Sequence, residues 1–300
     1  MSFIFLFIDG LGIGEQNEFN PFIRANLPSF EYLSGNNKLH SGINSYKKRG
    51  NLFTPIDANL DVEGLPQSGT GQASLFSGQN AAKMIGKHFG PYPHSGNKVL
   101  LQEHSLFQRM IQMGKSPFFI NAFPQPFFDR AHRTNRWSSC TYMTRNAGIK
   151  LNTEEEVLNG TAITAEIIQD YWQLHLNIDL PIINLRTAAQ RVLNSAVEND
   201  LVLMEYYLTD KAGHGQDIDQ AIEVLTRIDG FIGELLQIMD DDSTLIITSD
   251  HGNVEDLSTK SHTRNAVPLF VYGKNSQRFT EAKSIMDITP IILQSLGHRT

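Results

Sequence analysis

Apolar residues along this chain gather into short runs that stop at polar, turn-forming positions. Phe3–Ile8, Leu201–Tyr207, Thr244–Ser249 and Val267–Tyr272 are near-continuous apolar stretches, the pattern of strands buried on both faces of a parallel sheet. Phe118–Ile120 is a shorter run of the same kind. It follows Leu106–Met113, a helical pattern closed by Gly114. Asp217–Met239 is the clearest helix, because Ile218, Ile222, Leu225, Ile232, Leu235 and Met239 recur at helical spacing and form one apolar stripe. Thr187–Val197 is a second amphipathic helix, and Ala165–Leu174 a weaker helical segment. Asp287 is placed to N-cap a last helix that tolerates Pro290 in its first turn.

Other stretches show no such period. Asn17–Asn59 reads as polar and irregular, with a weak helical signal near Pro28–Leu33. Gly64–Gly78 opens as a loop and becomes small and helix-compatible. Pro124–Pro181 carries aromatics and arginines without a clean alternation, so residues 123–186 are expected to form a small insertion or cap. Strands alternating with helices predict one α/β domain over residues 1–300, with a mostly parallel central sheet between helical layers.

Composition narrows the picture. With 300 residues, 40% of them hydrophobic and 19% charged, the chain is in the ordinary globular range and can bury a proper core. The formal charge of −7 and the lack of any basic run exclude a nucleic-acid footprint. An acidic protein still binds an anionic substrate where bound cations supply local positive charge. The single Cys140 excludes an intramolecular disulfide and fits a reducing compartment. The apolar start has no basic flank or cleavage site and is interrupted by Asp9, so it reads as a buried strand, not a signal or membrane span. A cytoplasmic protein is expected, and the sequon at Asn159 is read as chance.

Candidate chemistry lies where the strands stop. Phe3–Ile8 runs into Asp9, Leu201–Leu208 into Asp210, and Leu245–Ser249 into Asp250. One carboxylate at a strand end is an ordinary turn or cap residue. Three, with histidines close behind two of them, outweigh that reading. Asp210 and His214 share a face if their segment is helical, His251 follows Asp250 directly, and His262 lies in a polar loop before Val267. Carboxylate and imidazole together suit zinc or manganese, and six donors exceed the needs of one tetrahedral ion, so two divalent ions are expected. His40, His88, His94, His104, His132, His175 and His298 are read as structural or solvated. The Gly10–Gly14 spacing departs from the dinucleotide fingerprint, and no G-x-S-x-G motif occurs.

Four segments together resemble the alkaline phosphatase superfamily, and within it the branch of cofactor-independent phosphoglycerate mutase and phosphopentomutase. They are Phe7-Ile-Asp9-Gly, Thr209-Asp210-Lys-Ala-Gly-His214, Thr248-Ser-Asp250-His251-Gly-Asn253 and His262-Thr-Arg-Asn265-Ala-Val-Pro268, in the family's order. The resemblance covers roughly Met1–Gly78 and Leu201–Gly297. It implies an alkaline-phosphatase-like three-layer fold and two metal sites. Asp210, His214 and His262 would hold one ion; Asp9, Asp250 and His251 would hold the other, joined by the nucleophile's oxygen. It also implies a Ser or Thr nucleophile in the glycine-rich loop, where Thr70 aligns best and Ser68 competes. Attack on a small-molecule phosphate ester would leave a phosphothreonine. Water would complete a phosphatase or phosphodiesterase cycle, and a substrate hydroxyl a mutase cycle. GTGQASLFSG replaces the mutases' extended serine loop, and the chain is shorter than typical mutases, so hydrolysis is the expected outcome. Arg264 and Arg133, with Arg130 and Arg136, are candidate phosphate contacts. A sulfatase is disfavoured because Cys140 lacks the required context, and a non-catalytic metal-binding protein is disfavoured by the complete donor set. No membrane partner is expected.

Overall fold

The structure, a computed structural model, describes residues 2–48 and 50–297; His298 lies outside them. Seven strands form one sheet: β1 (Ser2–Ile8), β2 (Tyr46–Lys48), β3 (Asn51–Ile56), β4 (Pro117–Phe119), β5 (Leu201–Tyr206), β6 (Ser243–Thr248) and β7 (Val267–Gly273). Their order is β2-β3-β7-β6-β1-β5-β4. The pairings β6-β1, β1-β5 and β5-β4 are parallel, and those of β7 with β6 and with β3 are antiparallel, as is β2-β3. Every strand except β7 and β2 therefore runs one way, in keeping with a mostly parallel sheet.

Alternation along β1 explains the layers. Phe3, Phe5 and Phe7 pack on one face with Phe76 of helix Ser68–Ser77 and Ile292 of helix Ile288–Gly297. Ile4, Leu6 and Ile8 pack on the other with Leu225 and Ile232 of helix Ile218–Ile238 and Val192 of helix Leu185–Glu198. Both faces are covered, so the apolar runs are continuous and not alternating. This is an α/β/α sandwich.

The structure differs from the sequence reading in three places. The 17–59 stretch contains β2 and β3, which add to the antiparallel edge. Pro55 interrupts the strand pattern there, and Lys47 and Lys48 give β2 the charged, short form of an edge strand. The helix expected at Ala165–Leu174 forms instead over Asp170–Leu176, because Ile167 and Gln169 hold positive φ angles of 76° and 70°. Asp287 closes a short 3-10 turn at Ile285–Asp287, accepting the amides of Lys283 and Ser284, and does not point forward into the last helix.

Between β4 and helix Leu185–Glu198 lie four short helices: Gln125–Thr134, Ser139–Asn146, Glu154–Leu158 and Asp170–Leu176. They carry one small apolar cluster of their own, Ala122, Val157, Ala162, Trp172 and Leu180. Single bridges from Asn121 to Ile163 and from Ala122 to Asn152 tie the segment back to the end of β4. No helix among the described residues is long and apolar enough to cross a membrane.

Candidate metal centre

Strand register sets the site. In β1, Phe7 lies opposite Thr248 of β6 and Glu205 of β5, so the three carboxyl ends are level. Asp9 leaves the central strand between Asp250 on one side and Asp210 on the other. The chain then turns at Gly10, whose φ is +68° and whose added Cβ would stand 2.7 Å from Asp210 Oδ1. Only glycine meets both demands. Asp210 and His214 stand in the first and last turns of helix Leu208–Gly215, their side chains 3.3 Å apart at i and i+4.

The six donors form one continuous cluster. Donor atoms of Asp9, Asp250 and His251 lie within 4.8 Å of one another, as do those of Asp210, His251 and His262. His251 Nε2 is 3.3 Å from Asp9 Oδ1 and 3.6 Å from Asp250 Oδ2. His262 Nε2 is 3.5 Å from Asp210 Oδ1 and 3.3 Å from His214 Nε2. The His251 and His262 rings stack with centroids 3.8 Å apart.

Three observations show that these residues fit cations. His214 Nδ1 and His262 Nδ1 each sit 2.7 Å from a backbone carbonyl, of Lys260 and Pro66. Each Nδ1 therefore carries the proton in the neutral ring, and two bare Nε2 lone pairs face each other. Both oxygens of the fully buried Asp250 lack a hydrogen-bond partner. The electrostatics agree. Burial, reinforced by Asp250 and Asp210, pushes the Asp9 carboxyl well above the usual carboxylate range, and burial with Asp210 pushes Asp250 up to about 8. Burial also pulls the His251 and His262 imidazoles down. Positive charge placed among them reverses the penalty on the two carboxylates, and the imidazoles already stand in the neutral form that ligates a cation.

The hydroxyl that reaches the cluster is Ser68, not Thr70. Ser68 Oγ is 3.0 Å from His251 Nε2. Thr70, fully buried, donates from Oγ1 to the Gln67 carbonyl at 3.2 Å and accepts the Phe89 amide at 3.2 Å. Its hydroxyl braces the helix start. Ser68 is the first residue of helix Ser68–Ser77, where unpaired amides point outward. The amides of Thr70 and Gly71 are taken by the Gln67 and Phe89 carbonyls, which leaves those of Ser68 and Gly69 for a ligand. The sequence signal was the position just after Pro66-Gln67, where a loop becomes a helix.

Several supporting residues escaped the sequence reading. Glu255 accepts from the amides of Gly12 at 3.0 Å and Asn253 at 2.7 Å, from Asn265 Nδ2 at 3.0 Å, and from the Thr263 hydroxyl. It thus joins the loops that follow β1 and β6 to the loop that carries His262. Asn253 Nδ2 donates to Asp210 Oδ1 at 2.7 Å, and Gln72 Nε2 to Asp9 Oδ2 at 3.1 Å. Arg264 is exposed, its carbonyl held by Asn59 and its charge adding to the burial that lowers the His88 pKa. Arg133 is exposed on helix Gln125–Thr134; its neighbours Arg130 and Arg136, not Arg133, line a cavity.

Comparison with known proteins follows the same lines. Residues 180–300 match the model of the Metalloenzyme superfamily. A 2,3-bisphosphoglycerate-independent phosphoglycerate mutase of Clostridium novyi (strain NT) is 35% identical over 111 residues, 33% of this chain and 22% of that protein. A phosphopentomutase of Mycoplasmopsis pulmonis (strain UAB CTIP) is 36% identical over 116 residues, 37% of this chain and 29% of that one. The matched part thus spans about a quarter of the length of these relatives. Among solved structures, the alkaline phosphatase from the Antarctic bacterium TAB5 superposes with a TM-score of 0.57 at 12% identity, covering 100% of this chain and 98% of that chain. The PH0037 protein from Pyrococcus horikoshii gives a TM-score of 0.59 at 15% identity, with 100% and 98% covered. The last two fifths of the chain are thus similar to the Metalloenzyme superfamily model and to phosphomutases in sequence, and the whole chain is similar to alkaline phosphatases in fold.

Proposed function

We propose that the chain is a two-metal phosphoryl-transfer enzyme that hydrolyses a small-molecule phosphate ester, with Ser68 as nucleophile. The observation that carries this reading is the Ser68 hydroxyl, 3.0 Å from His251 Nε2 at a helix start beside buried, unpartnered carboxylate oxygens. Asp210, His214 and His262 would hold one divalent ion and Asp9, Asp250 and His251 the other; zinc and manganese both suit such donors. Bound there, the ions lower the pKa of a nearby hydroxyl and stabilise a departing alkoxide.

The chain's own residues do the rest. Carbonyls of Lys260 and Pro66 hold the His214 and His262 rings with Nε2 unprotonated, while Gln72 and Asn253 fix Asp9 and Asp210. The amides of Ser68 and Gly69 supply donors for a phosphoryl oxygen. Ser68 Oγ, as alkoxide, forms a bond to phosphorus in line as the bond to the alcohol oxygen breaks, leaving phosphoserine. Water then attacks that phosphorus, and the Ser68 oxygen departs. A cytoplasmic setting accords with the fully buried, unpaired Cys140.

A second reading, return of the phosphoryl group to another hydroxyl of the substrate, is favoured by the relatives that are named as mutases. Hydrolysis is favoured by the small apolar cluster between β4 and β5, which gives little material to seal a substrate between two transfers. Metal analysis, followed by a panel of phosphate esters assayed for phosphate release and for isomerised product, separates them. Two ions with Ser68-dependent release supports hydrolysis. Isomerised product without release turns the reading to a mutase, and a protein that binds no metal sinks both.

A further inference from the structure

At the end of the sheet away from the metal cluster, a cavity of about 800 Å³ opens between the end of helix Ile218–Ile238 and helix Pro28–Leu33. That is an ordinary size for a small-molecule site. Its floor is the antiparallel edge of the sheet: Tyr46 of β2, Asn51 of β3 and Tyr272 of β7, with Asn51 directly opposite Tyr272. Gly273, also in the lining, pairs with Thr244 in β6. Asp250 is six positions further along that chain, about 20 Å away by the rise of a strand. The cavity is therefore no part of the metal centre.

Two buried polar atoms in its lining have no partner. Asn51 is 6% exposed and donates from Nδ2 to the Tyr32 carbonyl at 3.4 Å, which leaves Oδ1 as an acceptor without a donor. Ser276, 1% exposed, has an unpartnered hydroxyl. Buried polar atoms are nearly always paired, so two orphans in one cavity mark the place of a ligand's polar edge. Three tyrosine rings stand around them. Tyr32 and Tyr272 have centroids 6.1 Å apart, and Tyr32 keeps 49% of its surface exposed. Tyr46 lies against the turn at Gly35, where φ is +78° and an added Cβ would meet the ring at 2.4 Å. Any other residue there would push the ring away.

The charges of the lining cancel. Among the described residues it holds Lys48 and Lys274 against Asp240 and Asp241, and no arginine. Lys274 is already tied to Asp242 at 2.8 Å, and Asp240 Oδ1 accepts the Asp242 and Ser243 amides. An anion finds little to hold it here, whereas a flat, uncharged ring with its own donors and acceptors matches the walls. We propose that this cavity is a second ligand site and that it takes an uncharged nucleoside. The base lies against the tyrosine rings, gives an N–H to Asn51 Oδ1 and accepts from the Ser276 hydroxyl. Asp241, at the rim, is placed for the ribose hydroxyls. Every base has a face that stacks on an aromatic ring and an edge that a carboxamide can read.

Calorimetric titration of the full chain tests this, with adenosine, guanosine, cytidine, uridine and methyl β-ribofuranoside as probes. Wild type is expected to bind a nucleoside at least about tenfold more tightly than the riboside, which offers the sugar without the base. Tyr32→Ala should weaken that binding about tenfold or more, and Ser276→Ala about three- to tenfold. Ser276→Ala removes a hydroxyl that has no partner, so its melting temperature should not fall, and it reads the site even if Tyr32→Ala does not fold. Absence of binding by all four nucleosides overturns the proposal. So does a riboside bound as tightly as they are, or an affinity that the variants leave in place.

Discussion

Two parts of the molecule hide carboxylates from water and do so differently. At the carboxyl ends of β1, β5 and β6, Asp9, Asp210 and Asp250 are held together by strand register, with histidines among them. Between β4 and β5, Glu166 is buried by short helices and left-handed turns, outside both groups of convergent metal donors, and burial pushes its pKa up to about 7. The first arrangement is a concentration of negative charge that a cation relieves. The second is a single desolvated acid whose cost is borne by the fold. Burial alone does not mark a functional site; convergence of several donors does.

The sharpest challenge to this contrast is at Ser68. Ser68→Ala is expected to lower kcat for ester cleavage by about a thousandfold or more, whereas Thr70→Val should mainly cost stability, about 1–2 kcal/mol from two lost hydrogen bonds. Steady-state kinetics and urea unfolding on both variants read this. A dead Thr70→Val beside an active Ser68→Ala would reverse the assignment.

Metal removal comes next. With the folded pKa of Asp250 raised to about 8, the metal-free native state binds more protons than the unfolded state between the ordinary carboxylate range and pH 8. Stability of the chelated protein must then fall as pH rises through that window. His251 and His262, depressed on folding, act in the opposite sense only below about pH 6.5. Thermal melts between pH 7 and 8.5 are expected to slope downward after chelation and to flatten on adding zinc or manganese. Identical slopes with and without metal would remove the cation from the account.

Glu255→Gln tests whether the cluster is held from outside. One amide oxygen cannot satisfy all the donors that now converge on the carboxylate, so the loop bearing His262 should loosen and metal affinity fall about 10- to 100-fold. Competition with a chromogenic chelator measures it. The smallest effect is expected at Glu166. Glu166→Gln should remove a stability loss of up to about 1.4 kcal/mol per pH unit between roughly pH 4.5 and 7, with or without metal. A metal-dependent change there would erase the distinction between the two regions.

The sequence made the strand-end donors legible because each follows a run buried on both faces, and such runs are long enough to recognise. Asp210 and His214 were legible for a second reason, the helical spacing between them. The choice between Ser68 and Thr70 was not, because it requires knowing where a helix begins, to within a turn. Glu255 and Asp229 look like surface acids in the sequence. Their role depends on loops more than 190 residues away closing onto them, as Asp229 does in accepting the Ser29 and Phe30 amides. The stretch between β4 and β5 resisted reading because its order rests on single bridges and left-handed residues, which leave no period in the sequence.

The central place of β1 has a kinetic meaning. Phe3 pairs with Leu201 on one side and Thr244 on the other, so the pocket's floor is assembled from the first and last thirds of the chain. Contacts of such sequence separation form late and slowly. A nascent chain emerging from the ribosome displays Asp9 early yet has no site for a cation until β6 has been made and docked. Metal capture is thus a timer for the finished sheet, and stopped-flow metal uptake during refolding should trail the appearance of helical signal.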